Sequence, residues 1–375
     1  MIKFLKIDID SKRIFGLDIL RAFAILFVIY QHAGNYVPTK LKATYNLFVL
    51  DGVSIFFVLS GFLIGRILIQ LIEQPSFNTK SLFKFWKRRW LRTLPNYFLI
   101  LLLLIVLNLI FTDGFTLNSV KNYFIFSQNL NLPHPSFFPE AWSLSIEEWF
   151  YFITPIGLFI LIKRLKLNAK QSILILTISI VIVAMLIRYY KFTAYNITSH
   201  GDWDLLLRKQ VITRLDSIIF GVIGAYFQYY YLKHWIKHKH LFFTIGIALL
   251  ALTKVLGFLD LKPVNGMYNC VFSFSVFAAA ILFLLPYLSS IKHGKGRLSS
   301  FFSYTSVISY AIYILHLSVI QFWIIDNIDW SLLDINYKLL SAIKYTLFIL
   351  LTFGLSTLLY KYFELPMMNL RDKNK

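Results

Sequence analysis

Acidic side chains and cysteine are the scarce components of this 375-residue chain. A single cysteine, Cys270, falls in an apolar segment, which excludes an intramolecular disulfide and any cysteine-built zinc or iron–sulfur centre. Charged residues of either sign make up only 15% of the chain, against about 25% in ordinary soluble proteins, and 58% of residues are hydrophobic. No repeat of solenoid period, low-complexity linker or polar domain interrupts the apolar runs. With 18% aromatic residues and a mean hydropathy of +0.65, the composition predicts an all-α, polytopic transmembrane bundle forming one membrane domain over 1–375.

Acids are outnumbered 18 to 38, a formal net charge of +20. The basic residues punctuate apolar segments in short clusters rather than coating one soluble face, so nucleic acid is not the expected partner. About ten spans of the ~20 residues needed to cross a bilayer are expected, at roughly 15–34, 47–70, 94–112, 142–162, 171–188, 211–232, 241–259, 267–290, 302–324 and 338–362. One alternating set of connections, including Lys3, Lys6, Lys12, Lys80–Arg92, Lys163–Lys170 and Lys361–Lys375, carries twenty-four lysines and arginines. The opposite set, which includes Arg188, Lys191, Arg208 and Lys262, carries nine. The positive-inside rule then puts both termini in the cytoplasm. The first span has no small-residue cleavage site and is expected to be retained.

Ionisable residues inside such spans are costly and commonly face a bundle interior or a wet cavity. The first span, GLDILRAFAILFVIYQHAGN, holds Asp18, Arg21 and His32. Eleven residues separate Arg21 from His32, which puts them within roughly 20° on one helix face and about 16 Å apart along the axis. Asp18 lies about 60° round from Arg21 on the same stripe.

Elsewhere two readings stand side by side. In KSLFKFWKRRWLR (80–92), bulky and basic residues alternate as in a surface-lying helix; its arginines serve topology and lipid contact, or bind phosphate. DGVSIFFVLSGFLIGR (51–66) offers glycines and serines for close helix packing; Asp51 caps that helix or orients a histidine. In AWSLSIEEWFY (141–151), Glu147 and Glu148 either complement a helix start capped by Ser143 or Ser145, or face the bundle toward Arg21, Arg214 or His32. Arg214 and Asp216 form a local interfacial pair or complete a polar core. His316, near a helix end, is structural or catalytic. His234 and His238, at i,i+4 in a basic loop, are read as anchoring; no metal site is expected.

Taken in order, these blocks resemble the acyltransferase-3 family of integral membrane O-acyltransferases, from residue 15 to about 366. The matching stretches are the Arg21–His32 pair, DGVSIFFVLSGFLI with Ser60, RRWLRTLP (88–95), AWSLSIEEWFY, RLDSIIFGVIGA (214–225), ISYAIYILH (308–316) and KYFELP (361–366). The resemblance implies transfer of an acyl group, most often acetyl, from cytoplasmic acyl-CoA to a hydroxyl of a cell-surface glycan or glycoside, in the bacterial inner membrane. It implies acyl-CoA as donor substrate with no bound cofactor, and weights Arg21, Arg88, Arg89 and Arg92 toward the donor and His32, Glu147 and again Arg21 toward chemistry. Asp18, Asp51, Ser60, Glu148, Arg214, Asp216 and His316 are expected to support them. Many members carry a hydrolase-like domain after the membrane region. This chain stops at Lys375 without one, so a stand-alone enzyme is expected, completing transfer itself or handing the acyl group to a partner protein.

Chemistry of this kind needs a base for the alcohol and positive charge near the donor. His32 is the natural base, with a carboxylate expected to hold its tautomer. A proton-coupled secondary transporter would also bury Arg, His and Glu, but the related halves usual in transporters are not visible. A purely structural membrane partner explains none of the buried charges.

Overall fold

The computed structural model describes residue 7 and residues 13–47, 49–259, 261–333 and 335–372. Several basic residues used to orient the chain (Lys3, Lys6, Lys12, Lys373 and Lys375) lie outside them. Among the described residues nine helices are long and apolar enough to cross a membrane. The pair Arg297–Val307 and Ser309–Ile325, bent by 55°, brings the number to ten if it is counted as one broken span. The protein is a multi-pass helical membrane bundle. Its helices are α1 (Phe15–Ala33), α2 (Gly52–Ile72), α3 (Thr79–Phe111), α4 (Ala141–Phe159), α5 (Ala169–Ala194), α6 (Val211–Tyr230), α7 (Lys239–Phe258), α8 (Ser273–Leu288), α9 (Arg297–Val307), α10 (Ser309–Leu315) and α11 (Tyr337–Leu359).

Nine of the expected spans have a matching helix among the described residues, the one expected at 302–324 falls on the bent pair, and one boundary is corrected. The basic segment 80–92 is not a separate surface helix, because α3 runs unbroken from Thr79 through Pro95 to Phe111. Asn78 starts it with a capping box, its side chain accepting from Ser81 N–H at 3.1 Å. Phe85 and Trp86 are buried, and the Trp86 indole donates to the Tyr151 carbonyl at 2.9 Å. Those two aromatic anchors pull the basic turns against the bundle, so the arginines stand over its interior.

The centre of the bundle is α2 against α6. These helices are 61% and 67% buried over their most apolar windows, whereas α7 is 11% buried and faces outward. The approach is reciprocal and glycine-mediated. A Cβ on Gly61 would stand 1.9 Å from the Ile218 carbonyl oxygen, and one on Gly221 would stand 2.0 Å from that of Val58. Gly52 likewise admits the Ala24 carbonyl of α1. The glycines of 51–66 are therefore packing residues, as small residues are at tight membrane interfaces. The bundle centre they create leaves one polar face of α2, carrying Ser60, turned elsewhere.

Candidate active site

A cavity of about 750 Å³ opens between α1, α2, α3, α4 and the α9–α10 bend, within the ~300–1,000 Å³ range of small-molecule sites. Arg21, Lys84, Arg88 and Arg92 line it, together with Arg13 and Arg89. Two of these six cations are neutralised. Arg13 is bonded to Asp18, with Nε to Oδ2 at 3.0 Å, and Arg89 to Glu147 at 3.4 Å. The remaining four have no carboxylate within ion-pair distance among the described residues. Glu364, in the KYFELP block, also lines the cavity and accepts from Asn96 at 2.9 Å. A concave surface with surplus guanidinium is suited to a polyanionic ligand.

Asp18 shares a stripe with Arg21, but its hydrogen bonds go elsewhere. Its carboxylate accepts from Arg13 and, at 2.9 Å, from the Ser306 hydroxyl, fastening the start of α1 to α9. Arg21 faces the cavity and has no hydrogen bond among the described residues.

Beyond the cavity's far end stand two histidines. Ser143 and Tyr313 line the cavity there, their hydroxyls 2.6 Å apart. One turn past Tyr313, His316 is fully buried and its Nε2 lies 2.9 Å from His32 Nδ1. His316 Nδ1 faces the carbonyls of Tyr313 at 2.8 Å and Ile312 at 3.1 Å. Carbonyls only accept, so the network assigns the proton to His316 Nδ1 and leaves its Nε2 an acceptor. His32 then donates from Nδ1, and its own Nε2 carries a free lone pair. A neutral histidine thus fixes the tautomer of His32, in the place where a carboxylate was expected; His316 is not an isolated structural residue.

The segment that presents His316 is irregular. A π-helix runs from His316 to Ile325, the kind of local widening often found at functional positions. Glu140 holds it in place. Its carboxylate accepts from the Ser318 backbone N–H at 3.0 Å and from the Ser318 hydroxyl at 2.5 Å. Burial pushes the Glu140 carboxyl up to about 7, against the lowering effect of those bonds.

Glu147 of AWSLSIEEWFY faces the bundle interior, but with partners other than those expected. Glu140 is the residue preceding α4, with no side-chain cap, and the first turn of the helix holds no acid. Glu147 faces the cavity, where it accepts from Tyr151 at 2.7 Å and Ser60 at 3.2 Å and pairs with Arg89. It contacts neither Arg21, Arg214 nor His32. Glu148 accepts from Thr93 at 3.0 Å. Arg89 also donates to the Tyr151 hydroxyl and stacks 4.2 Å over its ring. Through these partners Arg89 ties α3 to α4, whereas Arg92 one turn on has no ion-pair partner among the described residues.

At the far end Asp51 is a helix cap, accepting from Ser54 N–H at 3.3 Å and Ser54 Oγ at 2.7 Å, and pairs with Arg208 at 3.2 Å. Burial would raise its carboxyl, but Arg208 and Arg214 outweigh that and hold it well below the ordinary carboxylate range. It does not orient a histidine. Asp216 pairs with Arg188 at 2.9 Å, both side chains fully buried, rather than with neighbouring Arg214. Arg188 was assigned to an outer connection with Lys191. Both instead lie buried within α5, Arg188 donating also to the carbonyls of Val271 and Thr213. Arg214 donates to Ser54 Oγ at 2.6 Å and lies 4.2 Å over the Phe274 ring. These residues complete a polar core linking α2, α5, α6 and α8.

Sequence reading missed Arg188, Glu140, Tyr313 and Glu364. A lone arginine in an apolar run was a signal for the first, and Glu364 sat inside a quoted block. Tyr313 likewise sat inside the quoted ISYAIYILH block.

A multi-pass bundle enclosing a basic cavity, with a tautomer-fixed imidazole past its end, defines a membrane-embedded enzyme. The comparisons with known proteins agree. A sequence profile described as "Acyltransferase domain" matches residues 14–361, and the chain belongs to the acyltransferase-3 family. It is 28% identical over 329 residues to "O-acetyltransferase OatA" of Staphylococcus aureus (strain NCTC 8325 / PS 47), covering 82% of this chain and 50% of that protein. To "Putative O-acetyltransferase SACOL0978" of Staphylococcus aureus (strain COL) it is 25% identical over 372 residues, covering 94% and 56% respectively. The chain therefore spans about half the length of the curated relatives it matches. No solved structure matches it.

Proposed function

We propose that this chain is an O-acetyltransferase of the bacterial inner membrane, with both termini cytoplasmic. It moves acetyl from cytoplasmic acetyl-CoA to a hydroxyl of a cell-surface glycan or glycoside. The observation that carries the reading is the cavity, whose four unpaired cations gather at one end and whose opposite end reaches the Ser143–Tyr313 pair, one turn from His316. The phosphates of CoA suit Arg21, Lys84, Arg88 and Arg92, and the pantetheine arm extends toward the dyad.

His32 Nε2 takes the proton of the acceptor hydroxyl as its oxygen attacks the thioester carbonyl carbon. Collapse of the tetrahedral adduct breaks the C–S bond, and the CoA sulfur leaves with the proton that His32 carried. His316, accepting from His32 Nδ1, stabilises the imidazolium formed between these steps. Arg21 is about 16 Å from His32 on unbroken α1 and so acts on the donor's phosphate end.

Purified protein in nanodiscs, given acetyl-CoA labelled on the acetyl group, tests this. Wild type should release CoA and pass label to a glycan acceptor, and His32→Ala should lose at least a hundredfold in rate while eluting as a folded species. Equal turnover by His32→Ala removes it as base, and no wild-type turnover of any acyl-CoA overturns the reading.

A further inference from the structure

At the far end of the bundle, on the opposite side of the start of α2 from the donor cavity, lies a second cavity of about 200 Å³. The two approach each other closely, since Val53 lines the first and Ser54 the second. Nothing in the acyl-transfer scheme uses this smaller space.

Its walls combine two features. One is aromatic. Trp203 is stacked on Phe274 with ring centroids 4.9 Å apart, and both line the cavity along with Tyr268 and Phe277. Flat amphipathic rings of this kind receive the C–H face of a sugar while leaving its hydroxyls to polar neighbours. Asn269 and Ser54 supply those neighbours.

The other feature is positive charge without compensation. Lys254 and Lys262 both line the cavity. Each donates only to a backbone carbonyl, Lys254 to Val49 and Lys262 to Thr253 at 2.9 Å, and neither forms an ion pair among the described residues. Beneath the floor, Arg214 bonds to Ser54 and stacks on Phe274, with its Nε and Nη1 buried and unpartnered. The one acid lining it among the described residues, Asp51, is already neutralised by Arg208. An anion entering here meets like-charged lysines whose repulsion it relieves.

We infer that this cavity is a sugar subsite for a monosaccharide unit bearing a phosphate or carboxylate, with the ring on Trp203 and the anion between Lys254 and Lys262. Its rim residue Asp51 precedes Gly52, which packs on α1 at Ala24 and Val28, one turn before His32. A glycan seated here passes the dyad, so the subsite holds the unit next to the one acylated. That last assignment rests on the O-acetyltransferase reading, whereas binding itself does not.

The test uses full-length protein in phosphatidylcholine nanodiscs with glucose 1-phosphate, glucose and inorganic phosphate as probes. Lysine acylation by a water-soluble succinimidyl ester is mapped by mass spectrometry. Glucose 1-phosphate should slow labelling of Lys254 and Lys262 at least fivefold, beyond the effect of either part alone. Saturation-transfer NMR should show at least tenfold weaker binding in Lys254→Gln/Lys262→Gln and retained binding in Lys254→Arg/Lys262→Arg. Three results overturn the subsite: no protection in wild type, equal protection by inorganic phosphate, or protection only when phosphatidylglycerol replaces the zwitterionic lipid, which would make the ligand a headgroup. Wild-type acetyl-CoA turnover, followed in parallel, reports the enzymatic reading separately.

Discussion

His32 and His316 meet at 2.9 Å although 284 positions separate them, and the direction of their hydrogen bond is set by two backbone carbonyls rather than by a charge. An imidazole so held keeps its lone pair aimed away from its partner, which is the requirement for a base. Replacing His316 with Ala removes the acceptor and frees the tautomer of His32. A loss of about 10- to 100-fold in kcat is expected, the usual cost of losing an orienting partner, with the KM for acetyl-CoA little changed. A flattened or displaced pH–rate profile should accompany it, and an unchanged profile would make His316 a packing residue. The arginines of 88–92 divide in the same residue-by-residue way. Arg89 is spent on Glu147 and Tyr151, so its loss should loosen α3 from α4. Arg92 has no ion-pair partner among the described residues, so its replacement by Ala should raise the KM for acetyl-CoA about tenfold, near 1.4 kcal/mol. Initial-rate kinetics in nanodiscs separate the two effects.

Two elements are built by omission of side-chain bulk or of regular hydrogen bonding. In α2 the glycines let α6 approach until a Cβ on Gly61 would fall 1.9 Å from a carbonyl oxygen. Gly61→Val cannot be absorbed by a side-chain rotation, because the obstacle is backbone. Destabilisation of at least ~1–3 kcal/mol is expected from overpacking alone, read as a lower midpoint in a thermal unfolding assay in detergent. Gly354, with nothing within 4 Å of an added Cβ, gives the control position. The α9–α10 element works through irregularity, since the 55° bend and the π-helical stretch carry the buried His316 ring to α1. Glu140 and Ser318 tie that stretch to the start of α4.

Across the whole molecule, charge is sorted by depth. Among the described residues, four cations without an ion pair line the larger cavity, the polar core holds the Arg188–Asp216 pair with Arg214 beside it, and two lysines without an ion pair line the smaller cavity at the far end. A donor bearing several phosphates is drawn by the first set, and that attraction is screened over about 8–10 Å at ordinary ionic strength. Raising salt from 50 to 500 mM should therefore increase the KM for acetyl-CoA while leaving kcat nearly constant. In Arg92→Ala the salt dependence should be shallower. A KM indifferent to salt would show that the guanidinium groups do not act on the donor through charge.

The spans and the presence of Arg21, His32 and Glu147 within them were legible in the linear order, because membrane helices announce themselves by length and hydropathy and charges stand out within them. Even the Arg21–His32 spacing along α1 could be read, since helical rise is fixed. Partners could not be read that way. Asp216 sits beside Arg214 in the chain yet bonds to Arg188, and Glu147 takes Arg89 rather than any of the three groups first considered. His32 takes a histidine from a helix near the other end of the chain. Helix geometry determines which face a residue occupies, and so the sequence by itself determined the fold class and the polar faces. Which face meets which depends on how eleven helices pack around glycine contacts and one bend, and only that tertiary arrangement decided the pairs, the cavities and the tautomer.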